Sequence, residues 1–276
     1  MSVAVSTTLN YFTTPTLDGL KPWSKTLPNP ETGKRESNWT SQNYEVKITN
    51  VRGDEDTGLD VSGFEFFNEP TQLKDFNDEE KIKETYYAEA ISIIKKHTGA
   101  TRVVIFDHTI RRHDPNANGD HPSNRQPARL VHVDQSAPAA VARVHRHLPP
   151  EDVPGLLSKR FQIINLWRPI SHPADESPLA LCDFRSIDKG EDLVPHTLRY
   201  PDRDGETYTV KYNPNHKWKY LKGMKPDEGV LIKCFDSIND GSVAELTPHT
   251  AFIDPTTPKD APLRQSIELR TLVFYD

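Results

Sequence analysis

From about residue 160 onward, the chain is a series of short strand-like segments that are separated by turn signals at close intervals. The segments include "RFQIINLWRPI", "LALCDFRSI", "GVLIKCFDS" and, near the carboxyl terminus, "RQSIELRTLVFYD". A long series of short strands with frequent turns is typical of an antiparallel sandwich or barrel. We therefore predict a mainly β fold with a few flanking helices.

The first part of the chain supplies the helices. The segment at 77–100 carries an apolar stripe at helical spacing, acidic residues in its first turn and basic residues in its last turn, and it predicts the longest helix. A second, short helix is predicted at 137–148. Alternating segments at 43–51 and 101–112 predict two further strands.

We expect one domain over residues 1–276, because β-rich barrels commonly reach this length. Residues 1–45 are polar, and four prolines interrupt any regular element there, so an extended N-terminal arm over the body is expected. Residues 100–276 are expected to form the core and to carry the functional site. The polar segment at 113–127 can bury little, and it is either a lid over that site or a solvated surface loop.

Composition and charge argue against two classes of partner, nucleic acids and membranes. The net charge of −6 at pH 7 argues against a nucleic-acid partner, because no basic excess is present to neutralise phosphates. No stretch approaches the roughly 20 apolar residues of a membrane span, and the amino-terminal segment lacks the pattern of a signal peptide. We therefore expect a soluble, cytoplasmic protein with no membrane partner, in which the two distant cysteines are reduced.

The segment "LVHVDQS" places His132 and Asp134 one residue apart at the end of a predicted strand. Residues i and i+2 of a strand project to the same side, so both side chains can reach one ion. Two histidines and one carboxylate that leave half of the coordination sphere open are typical of non-haem iron(II) oxygenases. His249, in the later segment "ELTPHTAFIDP", is the best candidate for the third ligand.

Arg264 and Ser266, in "RQSIELR", share one face of a predicted strand that follows His249 in the chain. An oxygenase that uses a ketoacid needs donors for the carboxylate far from the metal, and an arginine with a nearby hydroxyl suits that purpose. Glu268 and Arg270 lie on the same face. They either form an internal ion pair beneath the site, or Arg270 is the anchor instead of Arg264.

The chain resembles the fungal hydroxylase/desaturase family that includes the aspergillic-acid pathway enzyme and gibberellin desaturase, with a bacterial cephem methoxylase subunit as a distant relative. The matching segments are "LVHVDQS", "QIINLWRPI", "PLALCDFRSID", "HKWKYLKGMKPDEGVLIKCFDS" and "APLRQSIELRTLVFYD", in this order over residues 100–276. The resemblance implies a double-stranded β-helix (jelly-roll, cupin-like) core. It also implies that His132, Asp134 and His249 are the iron ligands and that Arg264 with Ser266 is the 2-oxoglutarate clamp.

By this resemblance, the chain is expected to be an enzyme of secondary metabolism that uses Fe(II), 2-oxoglutarate and O₂ on a small-molecule substrate. It would oxidise an unactivated C–H bond by hydroxylation, desaturation or oxidative cyclisation. Two alternatives stay open, a cupin-like metal enzyme that does not use 2-oxoglutarate and a non-catalytic partner subunit of an oxygenase pair. The sequence is also compatible with a homodimer.

Three residues are candidates for contact with the substrate. Trp167 and Arg168 stand at the end of the predicted strand "QIINLWRPI", where Arg168 either binds an acidic substrate or is a structural residue packed against Trp167. Arg143 lies on the short helix that directly follows the metal strand, which directs it toward the site.

Overall fold

The computed structural model describes residues 4–53, 56–117, 121 and 124–275 of the chain. The strands are β1 (Ala4–Thr13), β2 (Trp23–Lys25), β3 (Thr40–Asn50), β4 (Phe64–Asn68), β5 (Arg102–Arg112), β6 (His132–Val133), β7 (Phe161–Pro169), β8 (Leu179–Cys182), β9 (Leu193–Arg199), β10 (Asp204–Val210), β11 (Trp218–Tyr220), β12 (Glu228–Asp236), β13 (His249–Ala251) and β14 (Gln265–Phe274). The helices are α1 (Glu79–Lys81), α2 (Tyr87–Thr98), α3 (Ala137–His147), α4 (Val153–Leu157) and α5 (Lys189–Asp192), with a π-helical turn at Ile82–Tyr86 and a 3₁₀ turn at Phe184–Ser186.

These strands form two sheets. One has five strands in the order β4-β12-β7-β14-β5, and all of its neighbouring strands are antiparallel. The other has nine strands in the order β1-β3-β11-β8-β13-β6-β10-β9-β2. The nine-stranded sheet curls, because Asn10 of β1 forms a bridge with Leu130 and the Val131 N–H donates to the Asn10 carbonyl at 2.9 Å. This architecture confirms the predicted mainly β, jelly-roll fold.

The five-stranded sheet is covered on both faces. One face packs against the helical segment that contains α1 and α2, and the contacts include Ile82, Tyr86 and Ile94. The other face packs against α3 and the nine-stranded sheet, where Ile163 and Leu181 belong to one cluster. Because every residue of β7 is buried, any polar side chain on that strand needs a partner inside the protein.

Both predicted helices are confirmed. Asp78 caps the first of them by accepting hydrogen bonds from the backbone N–H groups of Glu80 and Lys81. Gly99 ends it in the left-handed conformation, with a φ of 72°, which glycine adopts without strain. No helix in the described part of the chain combines the length and the apolar character that crossing a membrane requires.

The expectation that residues 1–45 form an arm without regular elements was wrong. Strand β1 pairs with β3 along its whole length, from Ala4 opposite Thr49 to Thr13 opposite Thr40. Alternate side chains of β1 are buried in the core of the nine-stranded sheet. The prolines that were expected to prevent such pairing all follow Thr13, in the connections between β1, β2 and β3.

The predicted loop at 113–127 follows β5, and its two ends are held together. The Asp114 N–H donates to Gln126 Oε1 at 2.9 Å, and Gln126 Nε2 donates to the Arg112 carbonyl at 3.3 Å. Residues 118–120 and 122–123 of this segment, which the sequence allowed to be either a lid or a solvated surface loop, lie outside the described residues. The role of this loop as a lid therefore stays a prediction.

A buried charge network stabilises one end of the five-stranded sheet. The fully buried Lys233 Nζ lies 2.8 Å from Asp236 Oδ2 and 2.6 Å from Asp60 Oδ1, and Arg160 Nη2 lies 2.6 Å from the same Asp236 oxygen. Burial opposes ionisation of Asp236, but Arg160 and Lys233 hold the pKa of this carboxyl below its usual value. The ionised carboxylate therefore adds stability at neutral pH, and this stability is lost as the pH falls through the depressed pKa.

Replacing Asp236 with alanine is expected to lower the free energy of unfolding by about 3 kcal/mol at pH 7, because the buried Lys233 loses a partner. Urea denaturation measures the change, and the gap to the parent should narrow in acid, where the parent's Asp236 becomes protonated. The control is Asp202→Ala, which removes a surface pair with Arg203 and should cost less than about 0.5 kcal/mol. Equal losses in the two variants would contradict the assignment.

Candidate metal centre

The strand register of the nine-stranded sheet brings His132 and His249 together. Strands β6 and β13 are antiparallel neighbours, and His249 is the direct cross-strand partner of His132. Opposite residues of a strand pair project to the same face, so the two imidazole rings lie side by side with centroids 4.5 Å apart. Asp134 lies two residues beyond His132, and its carboxylate reaches the same point.

The ligand atoms of these three side chains converge. His132 Nε2 lies 3.4 Å from Asp134 Oδ1, and His249 Nε2 lies 4.0 Å from the same oxygen. All three ligand atoms lie within 4.8 Å of one another, and no other such group occurs among the described residues. Ligands bound to one ion at about 2.1 Å are separated by roughly 3–4 Å, so the cluster has the dimensions of a metal site.

Backbone carbonyls orient both imidazole rings. The His132 Nδ1 lies 2.7 Å from the Leu130 carbonyl, and the His249 Nδ1 lies 2.9 Å from the Thr247 carbonyl. A carbonyl oxygen only accepts, so each Nδ1 carries the proton and donates it. The Nε2 atoms, which face Asp134, are thereby available as metal ligands, and this is the usual arrangement of metal-binding histidines.

Asp134 presents only one of its carboxylate oxygens to the cluster. Its Oδ2 accepts hydrogen bonds from Asn165 Nδ2 at 2.8 Å and from Arg270 Nε at 3.1 Å. Its Oδ1 faces the two histidines. Burial opposes ionisation, but the charge of Arg270 and the hydrogen bond with His132 hold the pKa of Asp134 well below its usual range. Asp134 is therefore held in one orientation and charged, with Oδ1 as the oxygen that it offers to a metal ion.

The charges within the cluster also act on the two histidines. Burial disfavours the charged form of His132, but the Asp134 carboxylate overcomes this effect and raises the pKa of His132. Burial, together with the neighbouring His132, lowers the pKa of His249. The cluster therefore favours the neutral form of His249 and the charged form of His132.

Arg270 is committed to protein acceptors. In addition to Asp134, its guanidinium donates to Glu268 Oε2 at 2.9 Å, to Asp107 Oδ2 at 3.2 Å and to Thr109 Oγ1 at 2.9 Å. The predicted internal pair of Glu268 and Arg270 is thus present in the structure. With its donors occupied in this way, Arg270 is less suited than Arg264 to hold a cosubstrate.

Arg264 and Ser266 present buried donors that have no partner in the described part of the chain. Arg264 precedes β14 and is 2% exposed, and its Nη1 donates to the Ser177 carbonyl at 2.6 Å. Its Nε and the Ser266 hydroxyl are buried without a hydrogen-bond partner. Burial lowers the pKa of Arg264 to about 9, and the nearby Arg111 adds to this effect. Buried polar atoms are normally paired, so these two donors indicate a place for an anionic ligand.

The structure separates the three candidates for substrate contact. Trp167 is the cross-strand partner of Glu268, and its ring centroid lies 5.8 Å from the Arg264 guanidinium carbon. Trp167 therefore lies on the face of β7 that carries the candidate site. Arg143, on α3, lies over the Phe106 ring at 5.1 Å. Burial lowers the pKa of Arg143, and the charges of Arg146 and Arg270 add to this effect, so Arg143 lies near the outer edge of the Arg270 network.

Arg168 is not part of the site, and the expectation that it lines the pocket was wrong. Adjacent residues of a strand project to opposite faces, so Arg168 points away from the face that carries Trp167. Its guanidinium is fully buried beneath the first helical segment, with the rings of Phe67 and Tyr86 each 5.4 Å away. A structural role fits this position, but the packing partners are Phe67 and Tyr86 and not Trp167, which the sequence had suggested.

The sequence analysis did not identify Asn165, which contacts both carboxylates of the centre. Its Nδ2 donates to Asp134 Oδ2 and, at 3.1 Å, to Glu268 Oε1. The signal was present in "QIINLW", where a single amide interrupts an apolar strand. Asn165 stands two residues before Trp167 and therefore shares its face.

A cavity of about 460 Å³ lies close to the cluster but is not part of it. Its lining includes Gln135, Tyr208, Cys234 and Leu246. None of the three candidate ligands contributes to its wall, so the oxidised carbon of a substrate is not expected to bind there.

A jelly-roll fold that holds two histidines and one carboxylate, with a buried arginine and serine nearby, defines a non-haem iron(II) oxygenase. Comparisons with known proteins agree. A family model described as an oxidoreductase/YMDC permease-like domain matches residues 9–274. The hydroxylase/desaturase efuI of Hormonema carpetanum is 35% identical over 100% of this chain and 96% of its own length. The Fe(II)/2-oxoglutarate-dependent dioxygenase nvfI of Aspergillus novofumigatus is 33% identical over 91% of this chain and 89% of its own length.

A solved structure gives the same result. The iron and alpha-ketoglutarate-dependent endoperoxidase NvfI is 29% identical, with a TM-score of 0.86 over 99% of this chain and 98% of that one. The chain therefore belongs to the family of fungal hydroxylase/desaturases and Fe(II)/2-oxoglutarate-dependent dioxygenases. Enzymes of this family act on small molecules. The expected cofactors, Fe(II) and 2-oxoglutarate, appear in the names of its members.

Proposed function

We propose that this dioxygenase oxidises an unactivated C–H bond of a small molecule in natural-product metabolism, by hydroxylation, desaturation or oxidative cyclisation. The observation that carries the proposal is the convergence of two Nε2 atoms and one carboxylate oxygen, together with two buried donors that have no partner among the described residues. A metal site alone fits many reactions, but a metal site combined with an arginine and a serine that can bind an anion fits a ketoacid cosubstrate.

In this proposal, His132, Asp134 and His249 hold Fe(II). The donor set fits the metal, because imidazole nitrogens and a single carboxylate oxygen are the ligands that non-haem iron(II) oxygenases use. Bound iron, together with 2-oxoglutarate and O₂, supplies the oxidising power that breaks the C–H bond. Arg270 and Asn165 act by keeping the Asp134 carboxylate in one orientation.

Arg264 and Ser266 hold the carboxylate of 2-oxoglutarate that lies far from the metal. The buried Arg264 Nε and the Ser266 hydroxyl have no partner among the described residues, and a charge-assisted pair with a carboxylate satisfies both of them. Trp167 packs beside Arg264 and excludes water from this pair. Arg143, at the outer edge of the Arg270 network, is the residue that we assign to substrate contact. All these groups come from one chain, so the proposal does not require a homodimer or a partner subunit.

Metal analysis and cosubstrate turnover test this proposal together. The purified chain, loaded anaerobically, is expected to bind one Fe(II) and, on exposure to O₂, to convert 2-oxoglutarate to succinate slowly without a substrate. The matched control is the same chain loaded with Zn²⁺, which occupies the site without redox chemistry and should form no succinate. Stoichiometric iron without succinate formation would favour the cupin-like alternative. A chain that binds no iron would favour the non-catalytic partner subunit.

A further inference from the structure

Two neighbouring residues in the connection between β7 and β8 hold both ends of Arg264. The Arg264 backbone N–H donates to Glu176 Oε2 at 3.0 Å, and Arg264 Nη1 donates to the Ser177 carbonyl at 2.6 Å. The separation in sequence is almost ninety residues, so this contact is a product of the tertiary fold. It fixes the backbone and the side chain of Arg264 at the same time.

Ser177 adopts a backbone conformation that non-glycine residues rarely use. Its φ is +46°, in the left-handed region, and it is 3% exposed. Such a conformation persists only where the surroundings impose it. Here the Ser177 hydroxyl donates to the Glu176 carboxylate and accepts from Arg129 Nη2 at 3.2 Å, and the Ser177 carbonyl is directed at Arg264.

The turn leaves one edge of the Arg264 guanidinium for a ligand. In a planar guanidinium, the N–H bonds of Nε and one Nη group point in parallel along one edge, and this edge matches the two oxygens of a carboxylate. With Nη1 bound to the Ser177 carbonyl, the edge that contains Nε is the one left over, and Nε is buried without a partner. Arg111 and Arg129 add positive charge near Arg264, and Glu176 and Glu268 oppose it.

We propose that the turn formed by Glu176 and Ser177 is the positioning element of the 2-oxoglutarate anchor. It sets the direction of the Arg264 edge, and with it the length of the ketoacid that reaches from the anchor to the metal. The turn itself does not touch the cosubstrate, so both of its members are positioning residues. This inference rests on the proposed role of Arg264 as the clamp.

Substitutions at Ser177 separate the backbone conformation from the hydroxyl group. Ser177→Gly keeps the left-handed conformation at no steric cost, so the KM for 2-oxoglutarate is expected to stay within about threefold of the parent. Ser177→Val places a β-branched residue where φ is positive, which displaces the carbonyl from Arg264. Loss of the fixed charge-assisted pair is expected to raise the KM for 2-oxoglutarate at least about tenfold. At saturating cosubstrate, kcat and the iron content should change less than about twofold, because the metal centre is untouched.

A second serine in the same connection provides the matched control. Ser171 also has a left-handed φ, of 72°, but it is exposed and has no described contact with Arg264. Ser171→Val carries the same kind of backbone strain, and it is expected to leave the KM for 2-oxoglutarate unchanged. If Ser171→Val and Ser177→Val raise the KM equally, the effect is general destabilisation and the proposal is overturned.

Cosubstrate length gives a readout that a purely structural role does not affect. The parent should prefer 2-oxoglutarate over 2-oxoadipate, which is one methylene longer, and Ser177→Val should reduce this preference severalfold because the anchor is no longer fixed. If Ser177→Val does not fold, Glu176→Ala removes the acceptor for the Arg264 backbone N–H and should show the same loss of affinity and preference. Unchanged KM values and an unchanged preference in a folded variant would overturn the proposal. Failure of the proposed function is seen separately, as absence of 2-oxoglutarate turnover in the parent.

Discussion

Replacing His249 with alanine is expected to abolish stoichiometric iron binding and to reduce 2-oxoglutarate turnover by at least about 100-fold. Removing a residue that only hydrogen-bonds to a metal ligand typically costs about 10–100-fold in metal affinity or activity, and removing a ligand itself should cost more. The same result is expected for His132→Ala. In both variants Asp134 stays hydrogen-bonded to Asn165 and Arg270, so the local structure has an independent support. Iron content by elemental analysis and succinate formation measure the two effects.

The fold is expected to survive these substitutions, because His132 and His249 belong to none of the apolar core clusters. Thermal unfolding of the iron-free parent and of the iron-free variants should therefore give similar midpoints. His145→Ala is the control, since His145 is exposed on α3 and has no contact with the cluster, and it should keep both iron and turnover. Full iron occupancy with parental turnover in His249→Ala would show that His249 is not an iron ligand.

Replacing Arg264 with alanine is expected to weaken 2-oxoglutarate binding by about 2–3 kcal/mol, or roughly 30–150-fold in Kd, because the cosubstrate carboxylate is left buried without its charged partner. Arg264→Lys keeps the charge but not the two parallel donors, and it should fall between the parent and the alanine variant. Titration of the iron-loaded protein with 2-oxoglutarate under anaerobic conditions measures the affinity without turnover. Iron affinity should be unaffected, because Arg264 has no described hydrogen bond to the three ligands.

Arg270→Ala distinguishes the two arginines that the sequence offered as anchors. Arg270 donates to Asp134 and Glu268, so its loss should weaken iron binding about 10–100-fold by releasing the ligand carboxylate. Arg270→Ala should lower the affinity for 2-oxoglutarate only by reducing the fraction of protein that holds iron. If 2-oxoglutarate affinity collapses in the Arg270 variant at saturating iron and survives in Arg264→Ala, the clamp has been assigned to the wrong residue.

The parts of the centre that depend on local rules could be predicted from the sequence. The spacing of His132 and Asp134 needs only the alternation of a strand, and the structure places both in one cluster with His249. The same alternation also places Ser266, Glu268 and Arg270 on one face of β14, where cross-strand partners on β5 and β7 flank them. Local periodicity is sufficient in these cases because each side chain lies in a strand or, for Asp134, directly after one.

One of the errors could have been avoided with the same rule. Trp167 and Arg168 are adjacent in a strand, so only one of them can face the site. The face of Trp167 also carries Asn165, and the Asn165 amide supports the candidate ligand Asp134. Applied consistently, the parity of the strand selects Asn165 and Trp167 together and rejects Arg168.

Other features depend on long-range pairing that leaves no local signal. Strand β1 was not predicted because its partners, β3 and the segment near Leu130, are identified only by the register of the folded sheet. Ser177 is similar, because the left-handed backbone of a serine is imposed by contacts with Glu176, Arg129 and Arg264. The residues around Ser177 form no sequence pattern that predicts this conformation.

The carboxylate of Asp134 is shared between the two halves of the jelly roll. The chain that carries it leaves β6 of the nine-stranded sheet, whereas Asn165 and Arg270, which orient it, belong to β7 and β14 of the five-stranded sheet. The iron site is therefore complete only when the two sheets are in register with each other. The affinity for iron should therefore depend on how the two sheets are aligned, because a shift of one sheet relative to the other would move Asn165 and Arg270 away from Asp134.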